Sequence, residues 1–353
     1  MKKRILSIFG LVAFVIAPLF AGAAIADLEA IKPDGFARAV AFTVDGYAGS
    51  STLADFPVLV RISETAIPGF DYDEMMFPSN GDDLCFVAED GTPLAFDIDT
   101  WNPAGESLVW VKLPSMANGT EFAMFWRSSR SGKSVCDGNA FNNYVGVWHL
   151  NETGNGAQTI YDSTTNALTA SSSELSYGHA AGKIGGSRQI INQRDKLDKG
   201  IKVTKTDAAM SALDTLGTNF VASFWAKPFG SIDNQNGNQK KVDATTGAGI
   251  GYDVLISRKS AGNCPAWGVQ LSDSFSANGV SARLYTSQTG NPSYSGVNFA
   301  FQQGVWGKCD IVYSTVGTKT KVTTYWNGVK TFTSGDLDVV KQGSVTLDRK
   351  SVV

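Results

Sequence analysis

The chain has few of the residues on which most hydrolytic sites depend. Its 353 residues include two histidines, His149 and His179, and no glutamate follows Glu174. It contains no G-x-S-x-G motif, which would mark a serine nucleophile, and no C-x-x-C pair, which many zinc sites use. In the second half no two carboxylates occupy alternate positions of a predicted strand, the placement that would flank a glycosidic bond. We therefore predict that the protein is not an enzyme.

Only one long apolar run is present, and it lies at the N-terminus. Residues 5–20 follow the cations Lys2-Lys3-Arg4 and lead to Ala24-Ile25-Ala26, an A-x-A cleavage pattern. The run is short for a membrane anchor, and no stop-transfer charges follow it. We therefore expect a signal peptide over 1–26 and an exported protein that is periplasmic, at the cell surface or extracellular. We expect no membrane span in the mature chain.

Positive charge is not concentrated anywhere after that segment. The formal net charge is −3, and it becomes more negative without the three N-terminal cations. A protein without a basic stripe is not expected to bind nucleic acid or an anionic membrane surface. The expected partners are a glycan or a cell-surface protein.

Helical periodicity is nearly absent, and turn signals take its place. One short helix is predicted over 206–216, which Gly217 follows. Three hairpin signals lie between alternating strands, at Asp90-Gly91, Asn118-Gly119 and Asn327-Gly328. Short strands at this spacing predict an all-β fold built from antiparallel sheets.

A polar stretch divides two strand-rich regions. Residues 127–143 are rich in Gly, Ser and Asn, the composition of a linker. The predicted organisation is a β-sandwich over 27–137, a linker over 138–143 and a second all-β domain over 144–353.

In an exported protein the four cysteines are candidates for disulfide bonds, because disulfides form in oxidising compartments. Folding domain by domain favours the pairs Cys85–Cys136 and Cys264–Cys309 among the three possible pairings. The alternative is four buried free thiols, which sequence alone does not distinguish.

The first domain resembles the bacterial domain of unknown function 2341. The resemblance covers nearly all of 27–137 and is carried by Leu53, Asp55, Phe56, Pro57, Val58, Val60, Gly81, Asp83, Leu84, Phe86, Trp101, Val109, Trp110, Val111 and Pro114. It implies a small β-sandwich module of exported proteins and no particular activity. The acidic residues Asp82, Asp83, Glu89 and Asp90 are predicted to form turns, with metal binding or acid–base chemistry as the alternative.

The second domain resembles the laminin-G-like, concanavalin A-like jelly rolls. The carriers are Trp148, His149, Asn151, Glu152, Asp162, Ser163, Asn166, Phe224, Trp225, Lys227, Pro228, Ser257, Lys259, Trp267, Trp306, Tyr325, Asn327 and Gly328. The resemblance implies a jelly-roll sandwich, an architecture shared by lectins, adhesion modules and glycosidases. The family's closing strand has no counterpart before Val353, so we expect an incomplete jelly roll in which the strand at Trp148 lacks a partner.

Two groups of residues in this domain are candidates for binding. Asp162 and Asn166 match a turn of the family and offer oxygens of the kind that calcium accepts, although an Asx turn explains them equally. Aromatic residues among polar neighbours can stack on sugars, and the candidates are Tyr252, Trp267, Tyr285 and Tyr294.

The sequence thus predicts an exported, non-catalytic recognition or adhesion protein that binds a glycan or a cell-surface partner. The alternatives are a protein related to glycoside hydrolases or lyases and a purely structural cell-surface component.

Overall fold

The computed structural model describes residues 27–172, 176–190, 201–203, 207–227 and 305–338. It also describes the backbone of strands at 4–7, 15–16, 254–259, 265–276, 279–285 and 294–299. Strand accounts for 43% of the chain and helix for 5%, which confirms the all-β prediction. No helix in these ranges is long and apolar enough to cross a membrane. The chain forms two compact units, one of Leu11–Asn143 and one of Tyr144–Val353 with Met1–Gly10.

The first unit is a sandwich of two four-stranded sheets. Its strands are β2 (Val15–Ile16), β3 (Arg38–Thr43), β4 (Leu53–Ile62), β5 (Cys85–Ala88), β6 (Pro93–Leu94), β7 (Phe96–Thr100), β8 (Ser107–Met116) and β9 (Glu121–Trp126), with 3-10 turns at Tyr72–Glu74 and Gly132–Ser134. One sheet has the order β2-β4-β8-β7 and the other β3-β9-β5-β6. All pairs are antiparallel except β2 with β4.

Alternation along β4 and β8 explains how the first unit buries its core. Val58 and Val60 of β4 and Val109 and Val111 of β8 belong to the core between the sheets, as expected for residues of one strand face. Trp110, on the opposite face, is also buried and packs edge-on against Phe141, with ring centroids 6.1 Å apart. The sheet is therefore covered on both faces at this point.

The run predicted as a linker is partly built into the first unit. Ala140 and Phe141 are buried, because the Phe141 ring covers Trp110. A single aromatic residue in a polar stretch thus makes part of 138–143 a packed segment rather than a free connection.

One predicted hairpin is wrong in its pairing. Gly119 adopts the positive φ expected of a turn (86°). However, β8 lies between β4 and β7, whereas β9 lies between β3 and β5. The Asn118-Gly119 turn therefore connects the two sheets of the sandwich, because both flanking strands use their two edges for other partners.

The first predicted disulfide is confirmed. Cys85 of β5 is bonded to Cys136, with 5.9 Å between their Cα atoms. The second predicted pair is not formed in the structure, since Cys309 is a buried free thiol and Cys264 lies outside the described residues. Burial raises the pKa of the Cys309 thiol, and neighbouring Asp310 adds to this effect.

Among its described residues, the second unit contains two larger sheets, two smaller ones and one helix. Its strands are β1 (Arg4–Ser7), β10 (Tyr144–Val147), β11 (Thr159–Ile160), β12 (Ala170–Ser172), β13 (Ser176–Ala181), β14 (Gly186–Ile190), β15 (Ile201–Val203), β16 (Phe220–Ala226), β17 (Val254–Lys259), β18 (Pro265–Ser276), β19 (Gly279–Tyr285), β20 (Tyr294–Phe299), β21 (Gly307–Val316), β22 (Lys319–Trp326), β23 (Val329–Thr333) and β24 (Leu337–Asp338). Helix α1 spans Asp207–Asp214 and confirms the single predicted helix.

The sheets of the second unit are mainly antiparallel. The largest has the order β10-β1-β16-β21-β22-β23, with β24 beside β22, and a second consists of β17-β18-β19-β20. The Asn327-Gly328 hairpin is confirmed, because both residues have positive φ (49° and 81°) between β22 and β23. The strand predicted from Tyr144 onward ends at Val147, and Leu150 then adopts a positive φ of 55°.

Candidate functional site

The Asp162 carboxylate connects a turn to the end of β10 through hydrogen bonds. Its Oδ1 accepts hydrogen bonds from the backbone N–H of Val147 (2.8 Å) and of Thr164 (3.0 Å). Its Oδ2 accepts from the Thr164 hydroxyl (2.7 Å) and from the Leu168 N–H (2.9 Å). Both carboxylate oxygens are thus engaged with donors, which is the arrangement of an Asx turn.

Asn166 also connects this turn to β10 through a hydrogen bond. Its side-chain amide donates to the carbonyl oxygen of Val145 at 2.9 Å, and its backbone N–H donates to the Thr164 hydroxyl at 3.2 Å. The two predicted metal ligands therefore lie close together, both bonded to β10. Within the described ranges no three His, Cys, Asp or Glu side chains form a group that could hold a metal ion. Calcium binding by Asp162 and Asn166 stays a prediction.

A buried arginine organises the neighbouring loop. Arg188, on β14, is 7% exposed, and its Nη1 donates to the carbonyl oxygens of Glu152 (3.1 Å) and Gly154 (2.6 Å). Its Nη2 donates to the carbonyl oxygen of Gly156 at 3.0 Å. Three loop carbonyls thus converge on one guanidinium, as they would on a bound cation. Burial lowers the pKa of Arg188, and the negative charge of Glu152 opposes that shift.

Glu152 connects this loop to an exposed aromatic ring. Its Oε1 accepts the backbone N–H of Tyr161 at 2.9 Å, while its Oε2 is buried without a hydrogen bond. Tyr161 is 66% exposed. Nothing in the sequence marks Arg188 beyond its place on an alternating segment. Tyr161 was detectable only as an aromatic residue next to a turn.

Replacing Arg188 with methionine is expected to lower the free energy of unfolding of the second unit by about 3 kcal/mol. The reason is that three carbonyl oxygens and the Glu152 charge would lose their buried cation. Thermal and urea unfolding of the full chain would measure the effect, with the exposed Lys330 changed to methionine as the matched control. Equal stability of the two variants would contradict this role.

The two histidines differ in exposure. His149 is buried, whereas His179 is exposed on β13 and lies opposite Arg188 in the strand register. Glu174, the second glutamate of this domain, lies outside the described residues. In the described part of the chain, no group of side chains forms a recognisable catalytic site.

Three of the predicted sugar-binding residues lie on adjacent strands of one sheet. Trp267 is on β18, Tyr285 on β19 and Tyr294 on β20, and Tyr252 lies outside the described residues. Tyr285 is in register with Gly268, the residue after Trp267. Tyr294 is in register with Leu284, the residue before Tyr285. The structure thus brings these three positions together at one end of the sheet.

The register divides the three positions between two faces. One row across the sheet consists of Ile256, Val269, Leu284 and Tyr294. Cross-strand partners share a face and neighbours along a strand alternate, so Trp267 and its register partner Arg258 belong to this face as well. Tyr285 belongs to the other face, whose positions in the described strands include Val254, Ser257, Gly268, Gln270, Arg283 and Ser295.

Comparison with known proteins does not identify a family for this chain. No protein-family model matches the chain, and neither a curated protein nor a solved structure matches it. The resemblances to the domain of unknown function 2341 and to laminin-G-like jelly rolls therefore stay predictions.

Proposed function

We propose that this is an exported recognition protein whose second unit binds a glycan. The observation that carries the proposal is the strand register, which places Tyr285 on the same sheet face as Gln270, Arg283 and Ser295. An aromatic ring among hydrogen-bonding side chains is what a sugar needs, since its apolar face stacks and its hydroxyls exchange hydrogen bonds. Tyr294, which lies in a row with Ile256, Val269 and Leu284, is assigned to packing instead.

Tyr161 offers a second contact for the same class of ligand. Its ring is exposed, and the bond from its N–H to Glu152 fixes the backbone beneath it. Because a fixed aromatic residue loses little conformational entropy on binding, it suits stacking on a sugar. The Cys85–Cys136 disulfide supports export, because such bonds persist in oxidising compartments.

A glycan array probed with the full chain, with and without added calcium, tests the proposal. For a glycan that binds, Tyr285→Ala is expected to weaken binding about tenfold, equivalent to about 1.4 kcal/mol. Tyr161→Ala tests the loop contact separately, and Phe77→Ala, a partly exposed aromatic residue of the first unit, serves as the control. The absence of glycan binding, or equal loss in all three variants, would contradict the proposal. Turnover of a bound polysaccharide would instead support the hydrolase alternative.

A further inference from the structure

The sheet that carries Tyr285 has an excess of positive charge, although the chain as a whole is negative. The formal net charge of the chain is −3. The charged residues of strands β17–β20 are three cations and one acidic residue, namely Arg258, Lys259, Arg283 and Asp273. Asp273 lies in a stretch of β18 where the register pairing with β19 is interrupted. None of the register-paired residues of these four described strands is therefore acidic.

Arg283 lies in the middle of this sheet, on the face that carries Tyr285. Its strand, β19, lies between β18 and β20, and Arg283 pairs with Gln270 on one side and with Ser295 on the other. Residues two apart along a strand share a face, so Arg283 and Tyr285 are neighbours there, about 7 Å apart along the strand. One cation thus lies in a row with two neutral residues that can form hydrogen bonds, and next to an aromatic residue.

No acidic residue of the four described strands is paired with Arg283. Asp273 follows Gln270 by three residues, which corresponds to about 10 Å along a strand. The cation Arg258 is in register with Trp267 on the opposite face. A cation without an acidic partner in its row favours an anionic group in a ligand that binds on that face.

We propose that the glycan bound beside Tyr285 is acidic and that Arg283 binds a carboxylate of its sugar. The planar guanidinium matches a carboxylate with two parallel N–H···O bonds, for which a neutral sugar has no acceptor group. Gln270 and Ser295 bond the sugar hydroxyls, and Tyr285 stacks on the apolar side of the ring. A uronic acid carries all of these groups in one sugar residue. This inference rests on the proposed function and adds the class of sugar to it.

Matched polysaccharides test the charge without any change to the protein. The full chain is titrated with polygalacturonate, alginate and hyaluronate, each beside its carboxyl-reduced form, in which every carboxylate has become a hydroxymethyl group. EDTA is present throughout, so that calcium cannot bridge protein and glycan. Binding to at least one native form is expected to be about tenfold tighter than to its reduced form. Added NaCl should weaken only the binding of the native form, because salt screens the ion pair.

Arginine variants locate the contact on the sheet. Arg283→Gln is expected to abolish the preference for the native form and to keep the affinity for the reduced form. Arg283→Lys should keep part of the preference, because the charge remains without the planar fork. Arg258→Gln removes the same charge from the opposite face, so it is the matched control and should bind like the unchanged protein. Thermal unfolding of each variant checks that it is folded.

The outcomes separate this inference from the proposed function. Reduced or other neutral glycans that bind as tightly as the native polyuronates, and that Tyr285→Ala weakens, would leave glycan binding in place and overturn the acidic sugar. An equal loss of the preference in Arg258→Gln and Arg283→Gln would overturn the assignment of Arg283. No binding to any glycan, acidic or neutral, would overturn the proposed function and this inference with it.

Discussion

Replacing Asp83 with alanine is expected to lower the free energy of unfolding of the first unit by about 4 kcal/mol. The carboxylate is fully buried and accepts backbone N–H groups from two distant segments. The donors are Met76 (2.9 Å) and Phe77 (3.3 Å) in one loop, and Arg127 (3.0 Å) and Ser128 (3.3 Å) after β9. Alanine would leave all four donors without this acceptor, and a buried donor without a partner is costly.

Calorimetry of the full chain would measure this loss as a shift of the transition that belongs to the first unit. Glu89 lies nearby and is exposed, so Glu89→Ala is the matched control and is expected to change stability by less than about 0.5 kcal/mol. If the Asp83 variant unfolded at the same temperature as the control, Asp83 would not be the anchor of these two segments.

Removing the Cys85–Cys136 disulfide is the second change with a large expected effect. The two cysteines are 51 positions apart, and a closed loop of that length restricts the unfolded chain by about 4 kcal/mol. The double variant Cys85→Ser, Cys136→Ser is therefore expected to unfold roughly 20 °C below the unchanged protein. Reductant should reproduce the shift in the unchanged protein.

Reductant should have no further effect on the first unit of the double variant, which provides the internal control. An unchanged midpoint in the double variant would show that the bond does not stabilise the unit.

Asp83 and Cys85 are two residues apart, and both hold the segment that follows β9. We therefore expect the combined effect of both changes to be smaller than the sum of the separate effects.

Much of the fold could be predicted from the sequence because the signals are local. Alternation along β4 and β8 marks buried strands, Asn327-Gly328 specifies a hairpin turn, and the short helix follows from its periodicity. The Cys85–Cys136 pair was predicted correctly because both cysteines belong to one folding unit. Each of these features depends on residues close in the chain or on a small number of possible partners.

The remainder depends on contacts between distant residues. The sequence predicts Asp83 as a turn former, and nothing near it in the sequence shows that its carboxylate also accepts the N–H groups of Arg127 and Ser128. The pairing of β8 and β9 with other strands is decided by competition for edges across a whole sheet. For the candidate site, the sequence identified Asp162 and Asn166 but not Arg188, whose partners are carbonyl oxygens that any residue could supply.

Arg188 makes the conformation of the loop at residues 152–156 independent of dissolved cations. A loop held together by a dissolved ion loses its shape when a chelator or dilution removes the ion. The guanidinium that holds residues 152–156 is covalently part of the chain, so it cannot be stripped away. The loop beside Tyr161 is therefore expected to keep one conformation at low and high concentrations of divalent cations alike.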